Sequence, residues 1–221
     1  MLFDSEKYLE LRLALGPDVT LVPVSKTKPA PAILEAYELG VRDFGENYVQ
    51  ELREKQPMLP QDIRWHFIGH LQSNKVKYLA PFIYMIQSVD SSTLLVEINK
   101  QARKCQRQIK VLLQVHVAQE ETKFGWNSQE LLDYLKEEEW KTLSNISIEG
   151  VMGMASFVED PIQIKAEFDQ IYQCFRQLNE EVFNERPMTI VSMGMSGDWA
   201  LAIESGSNLI RVGSALFGSR N

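Results

Sequence analysis

The chain has 221 residues, of which 44% are hydrophobic and 24% are charged, and its formal net charge is −7. This length and composition predict a globular protein with a large core, and the negative charge argues against nucleic acid or an anionic membrane as partners. No stretch approaches the roughly 20 apolar residues that span a bilayer, and residues 1–7 lack a signal-peptide pattern. Cys105 and Cys174 lie far apart and predict free thiols in a reducing cytoplasm.

Strand-like and helix-like segments alternate along the chain. Short apolar runs are followed by segments of helical periodicity, often bounded by Pro, Ser or Gly. The predicted elements, in chain order, are helix 4–15, strand 19–25, helix 31–39, strand 41–45, helix 47–55, strand 64–68, helix 74–79, strand 83–89, helix 92–107, strand 110–117, helix 128–139, strand 146–152, helix 162–183, strand 189–193, helix 199–204 and strand 209–212. Ser128 is the expected N-cap of the helix that it begins.

Eight strand-like runs, each followed by a helix, predict an α/β protein with a single (β/α)8 TIM barrel in one domain, residues 1–221. The runs are continuously apolar, as in parallel strands that are covered on both sides. The last run leaves too few residues for a full outer helix, so the N-terminal helix 4–15 is expected to complete the outer ring. An open doubly wound sheet is the alternative, and the even size of the eight units favours closure.

Lys26 ends the first predicted strand and is the most informative single residue. Burying an ammonium group without a partner is costly, so a lysine at this position calls for a chemical reason. Desolvation makes an amine lose its proton more readily than a free lysine, whose pKa is about 10.4. An uncharged amine can form a Schiff base with an aldehyde. The alternative is a surface lysine in a strand-to-helix turn.

Two loops of small residues follow the last two predicted strands. Ser196 and Gly197 follow the seventh strand, and Gly213 and Ser214 follow the eighth. Such loops let backbone N–H groups approach an anion, and in barrels they form the usual phosphate site. The alternative for each loop is helix capping with a glycine that the turn requires. The presence of both loops favours phosphate binding.

A Schiff-base lysine next to a phosphate site predicts pyridoxal 5′-phosphate as the cofactor. The first and eighth strands are neighbours in a closed barrel, so Lys26 and the second small-residue loop are expected to lie close together. Arg211 ends the eighth strand. It is predicted either to donate a hydrogen bond to the pyridine nitrogen or to form a salt bridge with a barrel carboxylate such as Glu204.

The histidines and methionines carry weaker signals. His66 and His70 have the i, i+4 spacing of a metal pair, but they occur in strand-end sequence without the glutamate of zinc hydrolases, so no metal site is predicted. His66 is instead expected to be a hydrogen-bonded barrel residue near the cofactor. Met193 is expected to fill the barrel interior and the floor of the pocket. Both are counted among the cofactor-binding residues.

Seven stretches, in order from the first strand to the last, match a known family. They are VPVSKTK at 22–28, FGENYVQE at 44–51, HFIGHLQSNK at 66–75, KFG at 123–125, GVMGM at 150–154, SMGMSGD at 192–198 and IRVGSALFG at 210–218. The chain resembles the pyridoxal phosphate homeostasis proteins, which are related to the N-terminal barrel of alanine racemase. A set of this length and order is far more specific than any one motif.

The resemblance implies a role for each matching residue. It implies that Lys26 forms the Schiff base, that Arg211 faces the pyridine nitrogen and that Asn47 lies near the cofactor. It also implies that the phosphate is held by Ser196, Gly213 and Ser214. A cytoplasmic protein, often monomeric, is implied as well.

Three functions are compatible with these residues. A racemase needs an acid–base group on each face of the substrate Cα, and in related racemases the second group is a tyrosine from an additional domain, for which this chain is expected to have no room. Arg211 at the ring nitrogen would also weaken the cofactor as an electron sink. The sequence therefore favours a non-catalytic protein that buffers pyridoxal phosphate or passes it to apo-enzymes. A barrel aldolase that acts on a phosphorylated sugar is the third hypothesis, and it predicts a colourless protein.

Overall fold

The strands form one parallel, eight-stranded barrel. The computed structural model describes residues 2–117 and 124–218. The strands are β1 Thr20–Pro23, β2 Asp43–Glu46, β3 Arg64–Phe67, β4 Met85–Val89, β5 Ile109–Gln114, β6 Ile146–Met152, β7 Ile190–Ser192 and β8 Leu209–Val212. Hydrogen bonds join them in the order β1-β8-β7-β6-β5-β4-β3-β2, and a parallel bridge between Val24 and Gly45 links β1 to β2. The predicted barrel is therefore confirmed, and the open doubly wound sheet is wrong.

Helices follow the strands and cover the outside of the barrel. They are α1 Ser5–Leu15, α2 Ala30–Glu38, α3 Val49–Lys55, α4 Val76–Leu79, α5 Ser92–Lys104, α6 Ser128–Lys136, α7 Pro161–Glu181, α8 Trp199–Glu204 and α9 Ser214–Phe217. The predicted cap of α6 is corrected: Asn127 is the N-cap, and its side chain accepts a hydrogen bond from the Gln129 amide. The short α9 follows the small-residue loop after β8, where too few residues remain for a full outer helix.

The N-terminal helix α1 lies against α9. The Asp4 amide donates to the Leu216 carbonyl at 2.8 Å, and the rings of Phe3 and Phe217 are 5.0 Å apart. The Asp4 side chain also caps α1 by accepting from the Lys7 amide. These contacts place α1 next to the end of β8, where the sequence left space. That α1 completes the outer ring stays a prediction.

The barrel is surrounded by an apolar core and has buried polar side chains on its strands. Hydrophobic residues of strands and helices form one large buried cluster, and every residue of β4 is buried. Several polar side chains are nonetheless buried on the strands, and four of them are His66, Gln87, Ser192 and Arg211, each no more than 3% exposed. Buried polar groups need hydrogen-bond partners, so these four side chains constrain the barrel interior.

Several features of other protein classes are missing from the part of the chain that the structure describes. Within residues 2–117 and 124–218, no helix combines the length and the apolar character that a bilayer crossing requires. The same residues contain no cluster of three or more His, Cys, Asp or Glu side chains that would hold a metal ion. Cys105 and Cys174 are both free cysteines.

Candidate functional site

A cavity of about 650 Å³ lies at the carboxyl ends of the strands. Its lining comes from the segments that follow β1, β2, β3, β6, β7 and β8. Six of the eight predicted cofactor-binding residues line it: Lys26, Asn47, Ser196, Arg211, Gly213 and Ser214. Residues that are up to 188 positions apart in sequence therefore meet at one site, because the parallel strands all end on the same face.

His66 and Met193 are not part of this lining. Both are inside the barrel, with exposed fractions of 1% and 0%. The His66 ring is hydrogen-bonded on both sides, to Asp43 at 3.0 Å and to Gln87 at 2.9 Å. These partners hold it below the cavity, because it is on β3 one position before the strand ends. That His66 and Met193 belong to the cofactor site stays a prediction, and neither side chain lines the cavity.

Lys26 is in a tight turn that is fixed from both sides. The amide of Thr27 donates to Glu51 Oε2 at 2.8 Å, and the hydroxyl of Ser25 donates to Glu46 Oε1 at 2.7 Å. The Lys28 amide closes the turn on the Ser25 carbonyl at 3.0 Å. Thr27 has φ +63°, which is rare and strained for a β-branched residue. The turn keeps this conformation because the neighbouring hydrogen bonds hold it.

A buried ion pair beneath the turn, Glu46 with Lys55, adds further hydrogen bonds. Lys55 Nζ donates to Glu46 Oε1 at 2.8 Å, to the Ser25 carbonyl at 2.9 Å and to Glu51 Oε2 at 3.0 Å. The side chains of Glu46 and Lys55 are only 0% and 8% exposed. Burial raises the pKa of Glu46, and the nearby Lys55 ammonium works against that rise. This cluster anchors the Lys26 turn to β2 and α3.

The loops after β7 and β8 lie side by side at the cavity. The hydroxyl oxygens of Ser196 and Ser214 are 3.5 Å apart, although the two residues belong to different loops. A Cβ built on Gly197 would meet no atom within 4 Å, so this backbone is open to a ligand. Asp198 holds its loop in place by accepting from the Met195 amide at 2.5 Å. Two hydroxyls and two glycines therefore converge where a phosphate was predicted.

Arg211 is buried at the base of the cavity. Its NH1 group donates to Ser192 Oγ at 2.5 Å, and its NH2 group donates to the Gly153 carbonyl at 3.0 Å. Burial lowers the pKa of Arg211 to about 10, so the guanidinium stays charged at neutral pH. Within the described residues, the side-chain partners of Arg211 are Ser192 and Gly153, so the predicted salt bridge with Glu204 is wrong.

The charge and the open hydrogen-bonding capacity of the cavity suit an anionic ligand that carries a donor. Three cationic side chains line it, those of Lys26, Lys28 and Arg211, against one carboxylate, that of Asp198. Asn47 Oδ1 is buried and has no hydrogen-bond partner among the described residues. A buried acceptor without a partner is costly, and a donor on a bound molecule would satisfy it. The residues present therefore fit a phosphorylated aldehyde such as pyridoxal phosphate.

Some residues of the site were missed by the sequence analysis. Residues 156–158 after β6 and the residue Ile164 line the cavity, but their sequence carries no recognisable motif. The Glu46–Lys55 pair was also missed; the i, i+4 spacing of Glu51 and Lys55 was the only signal. Of the KFG stretch, Lys123 lies outside the described residues. Phe124 stacks on His70 at 3.7 Å and is not in the lining.

The fold and the cavity define a class: the barrel of the "Alanine racemase, N-terminal domain" family, whose profile matches residues 6–221. Two relatives named "Pyridoxal phosphate homeostasis protein" match most of the chain. The Pasteurella multocida protein is 36% identical over 206 residues, covering 92% of this chain and 87% of its own, and the Homo sapiens protein is 37% identical over 211 residues, covering 91% and 76%. The chain belongs to the pyridoxal phosphate homeostasis protein family.

A solved structure shows the same barrel with a ligand. PipY of Synechococcus elongatus PCC7942, determined with pyridoxal phosphate bound, is 38% identical to this chain. It superposes with a TM-score of 0.89 and covers 96% of this chain and 99% of its own. This chain is therefore similar to a known pyridoxal phosphate-binding barrel over nearly all of its length.

Proposed function

We propose that this chain binds pyridoxal 5′-phosphate and acts in intracellular vitamin B6 homeostasis, without strong catalytic activity. The observation that carries the proposal is the convergence of Lys26, Arg211 and the two small-residue loops on one cationic cavity. Membership of the pyridoxal phosphate homeostasis family and the ligand bound to PipY support it. We further propose that residues 1–221 act as one domain.

Each lining residue has a proposed role. Lys26 holds the cofactor through a Schiff base, in which its amine nitrogen bonds to the aldehyde carbon and water leaves. The phosphate is bound by hydroxyl and backbone N–H groups of Ser196, Gly213 and Ser214. Arg211 donates to the pyridine nitrogen, and Asn47 Oδ1 accepts from a donor on the ligand. Bound at this site, the group supplies an electrophilic carbon in conjugation with an electron-withdrawing ring.

His66 and Met193 are proposed to support the site from behind, since both are buried in the barrel and do not line the cavity. The proposed position of Arg211 favours a cofactor-binding protein over an enzyme. A guanidinium that donates to the ring nitrogen keeps a proton off that nitrogen, and this limits the electron sink that amino-acid chemistry requires.

An amino-acid racemase is the alternative activity. Such an enzyme needs an acid–base group on each face of the substrate Cα. In the described lining of the cavity, the only ionisable side chains are those of Lys26, Lys28, Asp198 and Arg211. Asp198 already accepts from the Met195 amide, and Arg211 stays charged. We expect incubation with each L-amino acid to give no D-isomer at ordinary enzyme rates, roughly 1 to 1000 per second, and such turnover would establish the racemase instead.

The setting of the protein is also part of the proposal. We propose a cytoplasmic protein without nucleic acid or membrane partners, because the net charge is −7 and both cysteines are free. We also propose that it is a monomer, as the family resemblance implies. Apo-enzymes that accept pyridoxal phosphate are the proposed protein partners. Mixing the loaded protein with such an apo-enzyme should restore the activity of the apo-enzyme.

Spectroscopy and mass spectrometry test the covalent bond to Lys26. We expect the purified protein with pyridoxal phosphate to show the visible absorption of a Schiff base, and borohydride reduction to leave a pyridoxyl adduct on Lys26. Lys26→Ala should remove both signals. Lys28→Ala is the matched control, because Lys28 lines the same cavity two residues away and is expected to be dispensable for the adduct.

Two results would overturn the proposal. A reduced adduct on Lys28 would move the attachment site within the turn. A protein that stays colourless and forms no adduct would favour the aldolase hypothesis, in which the lysine reacts with a phosphorylated sugar.

A further inference from the structure

A continuous chain of hydrogen-bonded side chains crosses the barrel interior below the cavity. Arg211 NH1 donates to Ser192 Oγ at 2.5 Å, and the Ser192 hydroxyl donates to Gln87 Oε1 at 2.7 Å. Gln87 Nε2 lies 2.9 Å from His66 Nδ1, and His66 Nε2 lies 3.0 Å from Asp43 Oδ1. The five residues come from five strands, and Gln87 and Ser192 are 105 positions apart in sequence.

The chain has one consistent direction. A guanidinium and an amide NH2 group can only donate, and a carboxylate can only accept. Because Gln87 Oε1 accepts from Ser192, its Nε2 group faces His66, so His66 Nδ1 must be the acceptor. The ring proton is therefore on Nε2, where it is donated to Asp43. In every hydrogen bond of the series, the residue nearer Arg211 is the donor and the residue nearer Asp43 is the acceptor.

The chain ends on a carboxylate that is held ionised. Asp43 also accepts from Arg64 Nε at 2.8 Å, outside the barrel interior. Burial opposes the ionisation of Asp43, but hydrogen bonds from His66 and Arg64 outweigh it and lower its pKa to about 2. A fixed negative end gives the whole chain its polarity, because it keeps the His66 proton on Nε2.

Two hydrogen bonds fix the Arg211 side chain, and the one to Ser192 is its link to the other buried polar side chains. Among the described residues, the only other side-chain hydrogen bond of Arg211 runs from NH2 to the Gly153 carbonyl at 3.0 Å. A guanidinium has five N–H donors in a rigid plane, so fixing NH1 and NH2 also fixes the direction of the donors that remain. Arg211 lines the cavity, whereas Ser192, Gln87 and His66 do not.

We propose that Ser192, Gln87 and His66 are positioning residues that orient Arg211, so that its remaining donors face the pyridine nitrogen of the bound cofactor. This inference rests on the proposed function, since it needs pyridoxal phosphate in the cavity. It gives a role to three buried polar side chains that do not line the cavity. Their hydrogen bonds preorganise the guanidinium before the ligand arrives, which reduces the ordering that binding requires.

A ligand pair tests the proposal at the atom concerned. Dissociation constants are measured for pyridoxal phosphate and for its 1-deaza analogue, in which a CH group replaces the ring nitrogen. We expect Ser192→Ala to weaken pyridoxal phosphate binding about tenfold, the scale of one charge-assisted hydrogen bond. For the analogue, the same substitution should change the dissociation constant by less than about twofold, because no ring nitrogen is present to be bound.

Three further variants separate positioning from general damage. Ser192→Thr keeps the hydroxyl and should restore binding. Ser88→Ala is the matched control: Ser88 is buried on β4 beside Gln87, and its hydroxyl has no partner among the described residues. Gln87→Met breaks the series of hydrogen bonds at Gln87, which contacts Ser192 and not Arg211 itself. We expect this substitution to weaken pyridoxal phosphate binding about threefold and to leave binding of the 1-deaza analogue unchanged. It also serves if Ser192→Ala does not fold.

The outcomes are distinct. Equal losses for both ligands, or no loss in Ser192→Ala and Gln87→Met, would overturn the positioning role while leaving the proposed function intact. Wild-type protein that binds neither ligand would overturn the proposed function itself. The unloaded protein gives an independent readout: nitrogen NMR of the His66 ring should show the proton on Nε2 alone. A proton on Nδ1 would contradict the direction of the chain.

Discussion

At the residue scale, the site depends on a threonine in an unfavourable conformation. Thr27 has φ +63°, where a side chain with a Cβ is strained and glycine is not. We expect Thr27→Gly to be more stable than Thr27→Ala by about 1 kcal/mol, because both variants remove the hydroxyl and only glycine removes the strain. Urea unfolding of the two variants measures the difference. Equal stability, or a more stable alanine variant, would contradict strain at this position.

Asp43 gives a pH dependence at the same scale. Its pKa of about 2 is below the ordinary 3.8, so its ionised form stabilises the folded state above pH 3.8, and this contribution disappears as the pH falls through about 2. We expect the free energy of unfolding of the wild type to be about 2 kcal/mol higher than that of Asp43→Asn at pH 7. This difference should disappear as the pH falls from 3.8 to about 2. Unfolding free energies from pH 7 down to pH 2 check it.

The control for this pH dependence is an exposed ion pair. Glu180 binds Arg176 at 3.1 Å with both side chains more than 60% exposed. Such pairs contribute little, so Glu180→Gln should change stability by less than about 0.5 kcal/mol at any pH in this range. If the stability difference between the wild type and Asp43→Asn does not vary with pH, ionisation of Asp43 is not its cause.

At the scale of elements, α3 and β2 hold the turn that carries Lys26. The link is Lys55, which ends α3 and donates to Glu46 of β2 and to the Ser25 carbonyl. Lys55→Met would leave the Glu46 carboxylate buried without its countercharge. We expect a loss of about 3–5 kcal/mol in the free energy of unfolding, and weaker retention of the adduct on Lys26. Chemical denaturation measures the first effect, and reduction with borohydride measures the second.

Two variants show whether the burial of charge is the cause. Lys141 pairs with Glu138 at the surface, where both side chains are at least half exposed, so Lys141→Met should change stability by less than about 0.5 kcal/mol. Adding Glu46→Gln to Lys55→Met removes the stranded charge and should recover part of the loss. If the double variant is as unstable as Lys55→Met alone, the ion pair is not what stabilises the turn.

At the scale of the whole molecule, closure of the barrel brings two strands into very close contact. A Cβ on Gly150 of β6 would be 1.8 Å from the Ile190 carbonyl oxygen of β7, so any side chain there must push the strands apart. We expect Gly150→Ala to cost about 3 kcal/mol or more, since backbone atoms cannot move aside without loss of pairing. Gly197→Ala, with no atom within 4 Å, should change stability by less than about 1 kcal/mol. Equal effects in urea unfolding would contradict the close contact.

The architecture and most of the lining were accessible from sequence. Strand and helix periods are local properties, and the ends of parallel strands share one face, so Lys26, Arg211 and the loops at Ser196 and Ser214 were placed together correctly. The role of His66 was not accessible, because a histidine on a strand gives no indication of whether it points toward a ligand or toward Gln87.

By itself, the sequence determined the number and order of the strands and the residues at their ends, because apolar period and turn chemistry depend on neighbours along the chain. Only the tertiary structure decided that Arg211 reaches Ser192 and not Glu204, and that Ser192, Gln87, His66 and Asp43 join in one chain. Such contacts arise when strands far apart in sequence close into a barrel. Buried polar side chains on those strands need hydrogen-bond partners, and they pair with the polar groups that barrel closure brings within reach.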